Sequence, residues 1–220
     1  MHPNPKRPNG HSHSAFHPTP RPGGLLPEIS KRHYTLEERT ELARKTPAKM
    51  PAGIEAVKRI ELIRAMGESH DLKFEPTLLK VLEDRYEMKD VQEAAIRAMG
   101  TLKPKGSARA VEAFLAKSGK GMETMRMASA WALGEIREVE SARALQEHLL
   151  RDPYWAVRIE SAYSLVKILG KGAVPVLRDA LRKKIARERE FRQGRIKVKH
   201  APHEEVADTI RHLLSELRQK

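Results

Sequence analysis

The chain has 220 residues, 42 Lys+Arg against 29 Asp+Glu, a formal charge of +13 and no cysteine. At 40% hydrophobic and 5% aromatic residues, its core must be Ala, Leu, Ile, Val and Met, in one domain or a short repeat array with tails. The missing cysteine excludes disulfides, zinc–thiolate and iron–sulfur sites and cysteine nucleophiles, and the lack of any apolar run near ~20 residues or of a signal core points to a soluble cytoplasmic protein with no membrane span.

Residues 1–34 are expected to form a disordered, basic, Pro/His-rich tail. Six prolines fall within residues 1–24, with His2, His11, His13 and His17, and Phe16 is the only large apolar side chain there. Proline removes backbone donors, and nothing apolar and periodic offsets the entropy of ordering. His11, His13 and His17 have the chemistry to hold a metal, but no second residue orients them. The tail is read as metal-free.

Order is expected from Thr35, where Thr35-Leu36-Glu37-Glu38 reads as a capping box. From Gly53 the chain repeats itself. Val91 to Gly100 aligns with Met125 to Gly134 and with Val157 to Val166, and a weaker copy runs from Lys58 to Gly67. After each copy comes an i,i+4 apolar pair: Leu78/Leu82, Val111/Leu115, Leu145/Leu149 and Leu177/Leu181. Each unit therefore reads as two amphipathic helices, with Ala or Gly where they approach closely. One pair cannot bury its own stripe, whereas about four stacked pairs make a continuous core. The fold class is all-α, an α-solenoid over residues 35–182. A one-sided stripe of Val206, Ile210, Leu213, Leu214 and Leu217 marks residues 201–220 as a capping helix.

Ala130-Trp131-Ala132-Leu133-Gly134, Val157-Arg158 and the preceding Asp152 together resemble the HEAT-repeat family, in the short form associated with phycobilisome lyases. The resemblance covers roughly residues 53–182. It implies a solenoid whose second helices line the concave face, and structural arginines at Arg126 and Arg158 that bridge neighbouring units. It implies little about activity, since one fold hosts many functions. Copies two and four depart from the pattern at Gln92 and Val166.

The charge is unevenly placed. Residues 178–200 hold ten basic and three acidic side chains, whereas residues 35–177 hold 24 and 21. Stacked repeats set equivalent residues in rows, so Arg109 with Arg143, and Lys117 with Arg151 and Lys183, form candidate cationic ladders for a phosphate backbone. A solvated face with local pairs such as Arg143–Glu147 is the plainer reading of the same rows. Residues 183–200 read as a basic extension: Arg182, Lys183, Lys184, Arg187, Arg189 and Arg192 on an overrunning helix, then Arg195, Lys197 and Lys199 alternating with Ile196 and Val198 as a strand. Function is often carried on such departures from repeat regularity.

Catalysis finds less support. A di-iron hydroxylase of HEAT-like type needs several His-Glu pairs, and only His203-Glu204 matches. An alkylpurine glycosylase of the same type would have to draw on Trp131, Trp155, Glu135 and Asp152. The expected function is a non-enzymatic, cofactor-free module binding an anionic macromolecule: RNA or DNA, alone or in a ribonucleoprotein. The alternatives are a scaffold or adaptor for an acidic protein partner, and a repair glycosylase.

Overall fold

The computed structural model describes residues 54–119, 121–195 and 204–219, all within the larger of two compact units, residues 35–220. The tail over 1–34, the capping box at Thr35 and the strand-like run from Ile196 lie outside these residues. The described residues form only helices and turns: α1 (Ile54–Glu68), α2 (Glu75–Glu83), α3 (Lys89–Leu102), α4 (Ala108–Leu115), α5 (Glu123–Ile136), α6 (Ala142–Arg151), α7 (Trp155–Leu169), α8 (Val174–Arg192) and α9 (Glu204–Gln219). The all-α repeat architecture read from the sequence is thus the observed one.

Two rows result. The Ala-rich helices α1, α3, α5 and α7 pack one against the next, and α9 packs on α7. The second helices α2, α4 and α6 pack on the first helix that follows each of them, α3, α5 and α7, and α8 packs on α9 in the same way. The tightest hairpins are therefore α2–α3, α4–α5, α6–α7 and α8–α9. The expected capping helix is the last member of the first-helix row, and α8, its hairpin partner, carries residues 183–192 of the basic extension.

Small residues set the first-helix spacing. A Cβ on Gly100 would lie 2.8 Å from the Ala132 Cα, and one on Gly134 would lie 2.9 Å from the Ser164 Cα. Real side chains do not approach backbone so closely, so glycine here is a packing requirement. The Ser164 hydroxyl donates to the Ala130 carbonyl at 2.7 Å, tying α7 to α5. The turn after each first helix also recurs. His70, Lys103, Arg137 and Gly170 all take a positive φ, between 53° and 62°. In three of these four turns a non-glycine residue bears the Cβ strain that glycine avoids.

The core follows the apolar stripes. Leu78, Leu82, Val111, Leu115, Leu145, Leu149 and Leu177 are buried, as are Val206, Ile210, Leu213, Leu214 and Leu217 on α9. Since every helix lends one face and exposes the other, burial of these stripes is the main driving force for stacking.

Candidate functional site

The second position of each aligned copy, in the first turns of the first helices, carries Arg59, Gln92, Arg126 and Arg158. Three of them reach back to a carbonyl at the end of the preceding second helix. Gln92 Nε2 donates to Asp84 O at 2.8 Å, Arg126 Nη1 to Lys117 O at 3.3 Å, and Arg158 Nε to Leu149 O at 3.0 Å. These bonds satisfy carbonyls that a helix C-terminus leaves open. Two of the arginines also reach forward to a carboxylate. Arg59 Nη2 meets Glu87 at 2.7 Å, and Arg126 grips Asp152 with Nε at 2.8 Å and Nη2 at 3.0 Å.

Asp152 is saturated by this grip. It accepts the Tyr154 amide at 2.9 Å and meets His148 Nδ1 at 2.9 Å besides the Arg126 fork. Burial pushes its carboxyl upward, but the bonds from His148, Arg126 and Tyr154 outweigh burial and hold it below the usual aspartate range. This is a buried structural bridge, in the role expected for Arg126, and Asp152 is its partner.

Arg158 differs. Among the described residues no carboxylate bonds it; burial and then the Arg187 charge depress its pKa, and Asp152 only partly opposes them.

The sequence-selected cations divide into several environments. Arg109 and Arg143 stand exposed on α4 and α6, with no ion pair among the described residues. Lys117 folds over the Phe114 ring, its Nζ 3.7 Å from the centroid, and burial lowers its pKa. Glu147 pairs with Arg151 at 3.7 Å, not with Arg143 as the i,i+4 spacing suggested. On α8, Asp179 takes both Arg182 at 3.1 Å and Lys183 at 2.7 Å, leaving one net positive charge. Lys184 corrects the sequence reading. It is buried, only 5% exposed, and ion-paired to Glu188 one turn on, so it is not a free surface cation. It lies seven residues after the buried Leu177, on the inward side of α8. Arg187, Arg189 and Arg195 are exposed, with no ion pair among the described residues. The Arg192 side chain, Lys197 and Lys199 lie outside them.

A second cluster on the first-helix row was not legible beforehand. Glu135 on α5 joins Lys103 at 2.8 Å and Lys167 at 2.7 Å, linking three successive units. Burial raises its pKa, but the two lysines more than reverse that. Glu160 stands where the second and third copies carry Ala94 and Ala128 and the first carries Glu61. Among the described residues it has no ion pair, and burial raises its pKa.

The glycosylase counterparts are committed elsewhere. Both acids, Glu135 and Asp152, are held by cations of their own chain. Trp131 is half-buried, its ring against Gly100, and half-buried Trp155 tilts against Tyr154 with centroids 6.2 Å apart. Among the described residues no group of three or more His, Asp or Glu is placed to hold a metal, and no helix is long and apolar enough to cross a membrane.

The model of the family described as HEAT repeats matches residues 87–166 and again 121–192. Residues 87–192 carry HEAT repeats. The matched HEAT units run from α3 to α8, while α1, α2 and α9 extend the same two-row packing beyond the match. No curated protein matches the chain. HEAT repeats are in general a binding architecture rather than a catalytic one, which directs attention to surfaces rather than to a reaction centre.

Proposed function

We propose that this HEAT-repeat protein binds an anionic macromolecule, RNA or DNA, through phosphate contacts from α8 and the second-helix row, without catalysing a reaction. The observation that carries the reading is the overrun of α8. It has 19 residues, where α2, α4 and α6 have 9, 8 and 10. The extra length bears Arg187 and Arg189, exposed and without an ion pair among the described residues, with Arg195 in the turn beyond. Exposed cations whose charge is not cancelled locally gain most from displacing the condensed counterions of a polyanion. Arg109 and Arg143 extend the same kind of contact along α4 and α6. The basic segment 178–200 has one aromatic, Phe191. That composition suits backbone contacts rather than base stacking, and so sequence-tolerant binding.

A salt titration of a generic oligonucleotide tests this. Log affinity should fall linearly with log salt, and the double variant Arg189→Gln/Arg195→Gln should reduce the slope by about 1 to 2. An unaltered chain that binds neither duplex nor single strand at low salt overturns the proposal and leaves an acidic protein surface as the partner to seek.

A further inference from the structure

The turns that join each second helix to the first helix after it share one edge of the stack, and two of them are built alike. Asp84 closes α2 and Asp152 closes α6. In each turn the aspartate carboxylate accepts the amide of a tyrosine two residues on, Tyr86 or Tyr154, at 2.9 Å. Gln92 Nε2 pins the Asp84 carbonyl at 2.8 Å, and the Arg126 fork pins the Asp152 carboxylate. The backbone beneath both tyrosines is therefore fixed by side-chain bonds of its own turn. Tyr86 is 73% exposed and Tyr154 37%. Among the described residues these are the exposed aromatic rings, and both stand on this edge.

Each ring is held in place and flanked by cations. The Arg85 guanidinium stacks on Tyr86, 4.7 Å from the ring centroid, and its Nη2 donates to the Tyr86 hydroxyl at 2.6 Å. One side of that ring is thus covered, and the rest faces solvent. Exposed Lys89 follows three residues on, its Nζ reaching toward Gly121 in the next turn of the edge. Tyr154 leans on Trp155, with centroids 6.2 Å apart. Arg151 beside it is 80% exposed and meets Glu147 only at 3.7 Å, a loose surface pair. In the last hairpin the turn after α8 carries exposed Arg195 at the same edge. A rigid ring with an open face and neighbouring cations suits an unpaired nucleobase and its phosphates, since every base offers a π-face. A duplex keeps its bases stacked on one another, and an apolar protein segment has no use for the flanking charges.

We infer that Tyr86 and Tyr154 are stacking platforms for unpaired bases of a single-stranded nucleic acid laid along this edge, with Lys89 and Arg151 meeting its phosphates. The inference rests on the polyanion reading above and deepens it. It names the single strand as the ligand and the turn edge as its path. The overrun of α8, with one aromatic of its own, contributes charge at the end of that path while the bases are held elsewhere.

Tyr86→Ala and Tyr154→Ala in the full chain test this against a single-stranded oligonucleotide and the matching duplex. Each should weaken single-strand binding about tenfold, the order of one lost base stack, and leave duplex affinity unchanged. The salt slope should not move, because a ring neutralises no phosphate. Tyr86→Trp and Tyr154→Trp should keep the single-strand affinity. Tyr86 is exposed, so its truncation does not endanger the fold. Leu72→Ala is the control, at a 55% exposed side chain in the turn after a first helix, on the opposite edge. An effect of both alanine variants no larger than that of Leu72→Ala overturns the platforms while leaving polyanion binding intact. Equal losses for single strand and duplex overturn them as well, since that marks a structural role for the rings. If the unaltered chain binds no oligonucleotide at low salt, both readings fall together.

Discussion

Two carboxylates, Asp152 and Glu160, show how the same burial leads to opposite electrostatics. Both lose hydration, but Asp152 meets a guanidinium fork, an imidazole and an amide, whereas Glu160 meets only distant charges, Lys167 and Arg97 against Glu135. The folded-state pKa of Asp152 is therefore lowered from 3.8 and that of Glu160 raised from 4.5. A lowered value means stability that is complete above the unfolded pKa and is lost as pH falls through the folded one. A raised value means stability present below the unfolded pKa and lost as pH rises through the folded one. Asp152→Ala should cost about 3–5 kcal/mol at pH 7, because Arg126 is left buried and unpaired. That deficit should shrink in acid, below about pH 4. Glu160→Gln should instead raise the melting temperature at pH 7, with the gain vanishing below about pH 4.5. Thermal melts of the three proteins from pH 3 to 8 check both signs. Arg126 was readable as a bridging arginine from the family resemblance, though not its partner Asp152. Glu160 was not, since an acid inside an Ala-rich helix becomes notable only once its neighbours are known to carry no hydrogen bond for it.

At the scale of the helix, the first-helix row depends on glycine rather than on apolar bulk. Gly134 faces the Ser164 backbone, and a Cβ there would sit 2.7 Å from the Ser164 Cβ. Gly134→Ala must push α7 from α5 and stretch the 2.7 Å bond from the Ser164 hydroxyl to the Ala130 carbonyl. The expected cost is about 1–3 kcal/mol, the usual range for overpacking, even though Ala is the better helix former. Denaturant titration measures it, and a stabilised variant would refute the packing argument. Helix existence and phase were legible throughout, because apolar pairs such as Leu145/Leu149 recur in step with the Ala-Leu-Gly motif. Which helix pairs most closely with which was not. Chain adjacency suggested α1 with α2 and α3 with α4, whereas the tight hairpins are α2–α3, α4–α5, α6–α7 and α8–α9. Lys184 was misjudged for a related reason. A dense basic run hides which members face inward, and only the packing of α8 shows that this ammonium is buried against Glu188.

For the described body as a whole, contacts run between neighbours in the stack, so stability is close to a sum of unit and interface contributions. Ile210→Ala on α9 removes a fully buried side chain where α9 packs on α7 and α8. It should cost about 2–5 kcal/mol locally. Hydrogen exchange should then quicken in α7, α8 and α9 and stay unchanged in α1 and α3. Uniform loss of protection across the stack would show instead a single cooperative unit. The sequence by itself determined the repeat, its period, the apolar faces and the uneven charge, because helical periodicity and composition are local properties written in every turn. Only the tertiary structure decided which arginines are spent on structure and which stay free, since a cation is neutralised by what packs beside it. Arg126 and Arg158 look alike in sequence, yet the first is closed by Asp152 while the second bonds only the Leu149 carbonyl among the described residues.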